Sequence, residues 1–146
     1  AEAVFMGGFQ MSMSKVLMET VMGGVFEAYP NVILVLGESG IGWIPYVIEH
    51  MDVEWLDQYQ DLTLKMLPSE YWHRNCRATY QTDRVGIKNI DYLGEDNVMW
   101  GSDFPHPDGV WPDSKEYITK ELGEVSDDVR HKIICANAAK LYGFPI

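Results

Sequence analysis

The chain has 146 residues, 11 of them basic and 22 acidic, for a formal net charge of −11. At about 100–200 residues per domain this is a single domain or part of one, taken here as residues 1–146. A hydrophobic fraction of 47% and a charged fraction of 23% exclude disorder. The acidic balance argues against nucleic acid as a partner. The best apolar run, Val32 to Leu36, is far short of the ~20 residues that span a bilayer, so no membrane partner is expected.

Residues 12–29 read as a helix. Leu17, Met18, Val21, Met22, Val25, Phe26 and Tyr29 recur at spacings of three and four and make one apolar stripe. Pro30-Asn31 stops it. Residues 32–36, VILVL, are short, continuous and β-branched, the pattern of a strand buried on both faces. A tight turn through Gly37-Glu38-Ser39-Gly40-Ile41-Gly42 leads into a helix from Trp43 to about Met66, with Pro45 tolerated in its first turn. Residues 68–75 read as a loop, 76–81 as a second strand, and Asp83 to Leu93 as a short helix or turn. Residues 97–102 form a third strand. Helices over Ser114–Leu122 and Ser126–Tyr142 close the chain. The last opens on Ser126 and two aspartates, which suit the positive end of a helix dipole.

Helices alternating with strands predict a parallel α/β sheet. Three strands are few, and their two edges leave backbone groups unpaired. On these grounds the chain is a piece of a larger α/β sheet or barrel. The acidic excess is uneven, net −8 over residues 1–70 and −3 over residues 71–146. The only cysteines, Cys76 and Cys135, lie far apart in sequence and suggest a reducing cytoplasm. The opening AEAVFMGG has no basic n-region, so no secretion signal is expected.

Chemistry in α/β folds gathers at the C-terminal ends of strands, and two exits stand out. At the first, the glycines follow the order G-x-x-G-x-G with no Walker lysine, and Glu38 would repel an anion. Phosphate binding is therefore disfavoured and the glycines read as a turn. A nucleophile elbow at Ser39 fails because the residue two positions on is Ile41. Glu38, a carboxylate directly after an apolar strand, needs a cation, a proton or a metal.

At the second exit, Asp103 follows the strand in Trp100-Gly101-Ser102-Asp103-Phe104-Pro105-His106-Pro107. It reads equally as a turn former or as a metal ligand and proton carrier. Nothing in the sequence fixes His106 beside it. The other histidines, His50, His73 and His131, form no H-x-H or H-E-x-x-H, so the chain alone offers a poor ligand set for zinc. Arg74, Arg77 and Arg84 read as surface ion-pairing residues. The methionines near the start, Met6 to Met22, read as core packing.

The segments VLGESGIGWIPYVIEHMD, EYWHRNCRATY, NVMWGSDFPHPDG and ANAAKLYG resemble the amidohydrolase-related family. These are metal-dependent TIM-barrel hydrolases and decarboxylases, including the aminocarboxymuconate semialdehyde decarboxylases. The match runs from about residue 12 to 144, and W-G-S-D-F-P-H-P is its most specific part. The resemblance implies a (β/α)8 fold in which Asp103 is a metal ligand and proton carrier. It implies that Glu38 stands where many members carry a histidine in an H-x-G pattern. The family's first-strand H-x-H and fifth-strand histidine are missing from this chain.

At about 30 residues per βα unit three strands make only part of a barrel, and the resemblance implies that they are strands six to eight, its C-terminal part. The resemblance further implies a divalent metal, zinc, and a small-molecule substrate that undergoes hydrolysis or non-oxidative decarboxylation. Asp103 and Glu38 would be catalytic, and Trp43 and His106 would line the pocket. The alternative is a non-catalytic fragment that folds only by self-association or with a partner. Open sheet edges and a water-facing stripe on residues 12–29 predict a homo-oligomer, most simply a dimer.

Overall fold

Short apolar runs flanked by turn residues form the strands. In the computed structural model, which describes residues 2–146, they are β1 (Leu34–Leu36), β2 (Cys76–Tyr80) and β3 (Val98–Trp100). They pair in parallel in the order β1-β2-β3, with Leu36 opposite Ala78 and Ala78 opposite Val98. Each crossover advances one strand in the same direction. That is the winding of a barrel, whereas an open doubly wound sheet reverses at a switch point. The fold is α/β and corresponds to part of a (β/α)8 barrel.

The helices are α1 (Glu2–Gly8), α2 (Ser12–Met22), α3 (Val25–Ala28), α4 (Ile44–Asp57), α5 (Pro68–Asn75), α6 (Arg84–Lys88), α7 (Ile90–Leu93), α8 (Ser114–Leu122), α9 (Asp127–His131) and α10 (Asn137–Tyr142). A π-turn over Lys132–Ala136 joins α9 to α10, so the predicted last helix runs through as one helical segment. Ser126 caps it by accepting from the Val129 amide, and Gly143 ends it at φ 73°. No described helix is long and apolar enough to cross a membrane. Cys76 and Cys135 are both free.

Three elements differ from the sequence expectation. β1 begins at Leu34, and Val32 and Ile33 are 46% and 38% exposed. Leu34 and Val35 are only half-buried because β1 pairs on one side alone. Residues 68–75 form helix α5 rather than a loop. Pro68 occupies its first turn, Glu70 accepts from the Leu67 amide at 2.8 Å, and Asp52 accepts from the Ser69 amide at 2.8 Å. α4 stops at Asp57, where its apolar periodicity gives way to polar residues.

One core fills the space between the sheet and its helices. Leu17, Val21 and Phe26 meet Ile44, Ile48 and Met51 of α4 and Tyr71 and Trp72 of α5, over Leu36, Ala78 and Val98. Each fully buried large side chain contributes about 1.5–3 kcal/mol. Leu17 and Val21 are buried within this one chain, so the α2 stripe does not face water as expected. Met18, at 36% exposure, is its open edge. Burial also pushes the Cys76 thiol up to about 12, leaving it inert at neutral pH.

Three asparagines tie the starts of the strands together. Asn75 donates to Pro30 O and Val32 O. Asn97 donates to Trp72 O, His73 O and Cys76 O at 2.9–3.1 Å. Asn137 donates to Glu95 O and Val98 O. All three are buried. Replacing Asn97 by alanine would leave buried carbonyls unpaired, at about 1–3 kcal/mol. Urea unfolding of Asn97→Ala should show that loss as a lower midpoint with an unchanged slope.

Candidate functional site

Parallel strands end on one side, so the chain segments after β1 and β3 meet at one end of the sheet. Glu38 follows β1 by one residue beyond Gly37, and Asp103 follows β3 within three residues. Both have left-handed backbones, φ 53° and 58°. Such a conformation costs a non-glycine residue about 1–2 kcal/mol, and residues held there against that cost concentrate at functional sites.

Hydrogen bonds hold each turn in place. The Glu38 amide donates to Thr79 Oγ1 of β2 at 2.7 Å. Ser39, fully buried, donates from its hydroxyl to Gly40 O at 2.7 Å. The Trp43 indole donates to Ser39 O at 2.8 Å. The Ile41 and Gly42 amides both donate to Asp83 Oδ2 at 2.7 Å. Across the sheet, the 102–110 loop closes on itself through His106 N to Asp103 O and Val110 N to Ser102 O. A Cβ at Gly109 would lie 2.9–3.0 Å from the carbonyl oxygens of Asp103, Ser102 and His106, so only glycine fits that closure.

These turns bring Glu38, Asp103 and His106 together, with one potential ligand atom of each lying within 4.8 Å of the others. His106 Nδ1 lies 3.4 Å from Asp103 Oδ2 and 3.3 Å from Asp108 Oδ1. The loop therefore fixes a ring that the sequence left unplaced. The Asp103 side chain is only 11% exposed. Its hydrogen bond with Glu38 is the main cause that raises the Glu38 pKa above 4.5, followed by the repulsion of its charge; His106 partly offsets both. Two carboxylates this close need a shared proton or a cation between them.

The adjoining cleft, of about 140 Å³, is lined by Glu38, Asp103, Thr79, Gln81, Thr82 and Gln10 among others. Neither His106 nor Trp43 lines it. The Trp43 indole packs on the core and braces the Glu38 turn. Arg74 and Arg77 lie on the opposite side of the sheet ends, bonded to Phe26 O and Cys76 O rather than to acids. Thr79, Asp83 and Gly109 were not singled out from sequence. A hydroxyl at a strand end and an aspartate opening a helix were the signals available.

This is a strand-end acid and imidazole site on a parallel barrel segment. A family model described as amidohydrolase matches residues 8–144, and the chain belongs to that family. Among solved structures it is similar to 5-carboxyvanillate decarboxylase from Sphingomonas paucimobilis, at 25% identity and a TM-score of 0.79, over 94% of this chain and 42% of that one. It is also similar to an amidohydrolase from Mycobacterium avium subsp. paratuberculosis K-10, at 23% identity and a TM-score of 0.78, over 90% and 33%. A third, dihydroxybenzoic acid decarboxylase from Polaromonas sp. JS666 with bound manganese and the inhibitor 2-nitroresorcinol, matches at 20% identity and a TM-score of 0.75, over 92% and 41%. The chain thus spans well under half the length of each.

A raised carboxyl pKa in the folded state favours folding below the ordinary value and loses that contribution as pH rises through the raised one. With a chelator present, Glu38→Gln should therefore melt higher than the parent chain at pH 8. The gap should close as pH falls toward 4.5, as read by thermal scans across pH.

Proposed function

We propose that this chain carries part of the catalytic centre of a metal-dependent amidohydrolase that acts on a small carboxylated molecule. One observation carries the reading: two carboxylates and an imidazole converge within 4.8 Å at the strand ends of a parallel sheet. Likeness to two aromatic-acid decarboxylases supports non-oxidative decarboxylation ahead of hydrolysis.

The donor set suits a divalent cation. Oxygen-rich sets favour manganese and imidazole suits zinc. The family resemblance implies zinc; the manganese in the dihydroxybenzoic acid decarboxylase makes manganese the first metal to test. Asp103 and His106 are the side chains that would hold the metal. When bound, it supplies Lewis acidity toward a substrate oxygen.

Decarboxylation breaks the bond to the departing CO₂ and puts a proton in its place. Glu38 keeps its proton to higher pH than an ordinary glutamate and sits against Asp103, so it is the donor. In the hydrolytic alternative Asp103 takes the proton of the attacking water. The cleft lining holds amides and hydroxyls but no arginine or lysine, so a substrate carboxylate finds no cationic side chain there.

Titration of the chain with Mn²⁺, followed by electron paramagnetic resonance, tests the reading. One tight equivalent is expected, abolished in Asp103→Ala and weakened about 10–100-fold in His106→Ala. Failure to bind either Mn²⁺ or Zn²⁺ would sink it.

The open edge of β1 and the exposed Val32 and Ile33 support self-association. Sedimentation equilibrium at micromolar concentration should give a mass above the 16.7 kDa of one chain. A clean monomer would refute that part.

A further inference from the structure

Asp83 lies outside the cluster of Glu38, Asp103 and His106, yet its carboxylate is fully engaged beside it. Oδ2 accepts from the Ile41 and Gly42 amides at 2.7 Å each. Oδ1 accepts from the Gly86 amide at 2.9 Å and caps α6. The Asp83 amide donates at 2.9 Å to Oε2 of Glu121, a buried residue of α8.

The two loops pack with no room for a Cβ at either glycine. A Cβ at Gly42 would lie 2.6 Å from Asp83 Oδ1, and one at Gly86 would lie 2.2 Å from Ile41 Cγ1. Glu38 is only three residues before Ile41, and its own amide is held by Thr79, four residues before Asp83. The exit of β2 therefore grips the Glu38 turn at both ends. Thr79 holds its start and Asp83 its finish. An aspartate has one rotatable bond fewer than a glutamate, and both of its oxygens are committed here. The grip is short and stiff, as a turn with a positive φ requires.

We propose that Asp83 is a positioning residue, setting the Glu38 turn so that the Glu38 carboxylate meets Asp103. The proposal rests on the reading of Glu38, Asp103 and His106 as a working centre.

Asp83→Asn tests it. An asparagine keeps Oδ1 as acceptor for Gly86 but turns an N–H group toward the Ile41 and Gly42 amides. Two measurements are made on the full chain: amide hydrogen exchange by NMR, and titration with Mn²⁺ alone. The expected result is retained protection at Gly86, lost protection at Ile41, Gly42 and Glu38, and Mn²⁺ affinity at least tenfold weaker. Ser126→Ala removes a cap at the far helix α9 and should leave Glu38 protected, which separates positioning from general loss of stability. If Glu38 stays protected in Asp83→Asn, or if its protection is lost while Mn²⁺ affinity stays within twofold, the proposal is overturned. If the parent chain binds no Mn²⁺, the metal reading fails and positioning is decided by the Glu38 amide alone: lost protection supports it, retained protection refutes it. If Asp83→Asn does not fold, Gly42→Ala, which drives the same carboxylate off the turn, is read by the same criteria.

Discussion

Parallel pairing through β2 is the constraint on which everything else depends. Glu38 and Asp103 leave β1 and β3, the two strands that flank β2. Two strand spacings amount to roughly 10 Å of backbone separation. Their ligand atoms nevertheless come within 4.8 Å of each other. The side chains must therefore lean inward across the end of β2. The left-handed backbones at Glu38 and Asp103 turn both residues out of the strand direction at the point where that lean begins. Had β2 paired in parallel with one neighbour and antiparallel with the other, the two exits would lie at opposite ends of the sheet.

The opposite end of the sheet does different work. There Asn75, Asn97 and Asn137 bond neighbouring strand starts through neutral amides, with no charge to desolvate. Each buried side chain satisfies two or three carbonyls, which favours one register over its neighbours. The C-terminal end instead carries two left-handed residues and two adjacent carboxylates, all of them costly. The division matches that of barrel enzymes, with stability at the starts of the strands and, here, the candidate site at their ends. The strained end is tolerable because the asparagine ties and the core beneath Tyr71 and Trp72 do not depend on it.

Much of this is legible in the sequence. The three strands, their parallel sense and the exits carrying Glu38 and Asp103 follow from apolar runs alternating with helical periodicity. Helix α5 was missed because its apolar content is two adjacent aromatics, Tyr71 and Trp72, which show no period; Pro68 and Glu70 marked its start all the same. The extent of β1 was overestimated because a continuous apolar run does not distinguish a central strand from an edge. His106 was legible as a residue but not as a neighbour, since its place depends on how Gly109 lets the loop close. Asp83 was invisible as a site residue for a related reason. Two of its three partners are backbone amides more than 40 residues away, and no side-chain pattern records them.

The residue at position 38 sets the charge of the site. A histidine there would be largely neutral at pH 7, as its ordinary pKa of about 6.5 dictates. A glutamate adds a second acid beside Asp103, with Asp108 close behind on His106. Unless one proton is shared, the pair of carboxylates carries two negative charges; the hydrogen bond with Asp103, and then that repulsion, raise the Glu38 pKa. A divalent cation held by Asp103 and His106 would ease that repulsion. A glutamate at position 38 thus ties its proton to the carboxyl group that the proposed metal would use, whereas a histidine there would add no second acid.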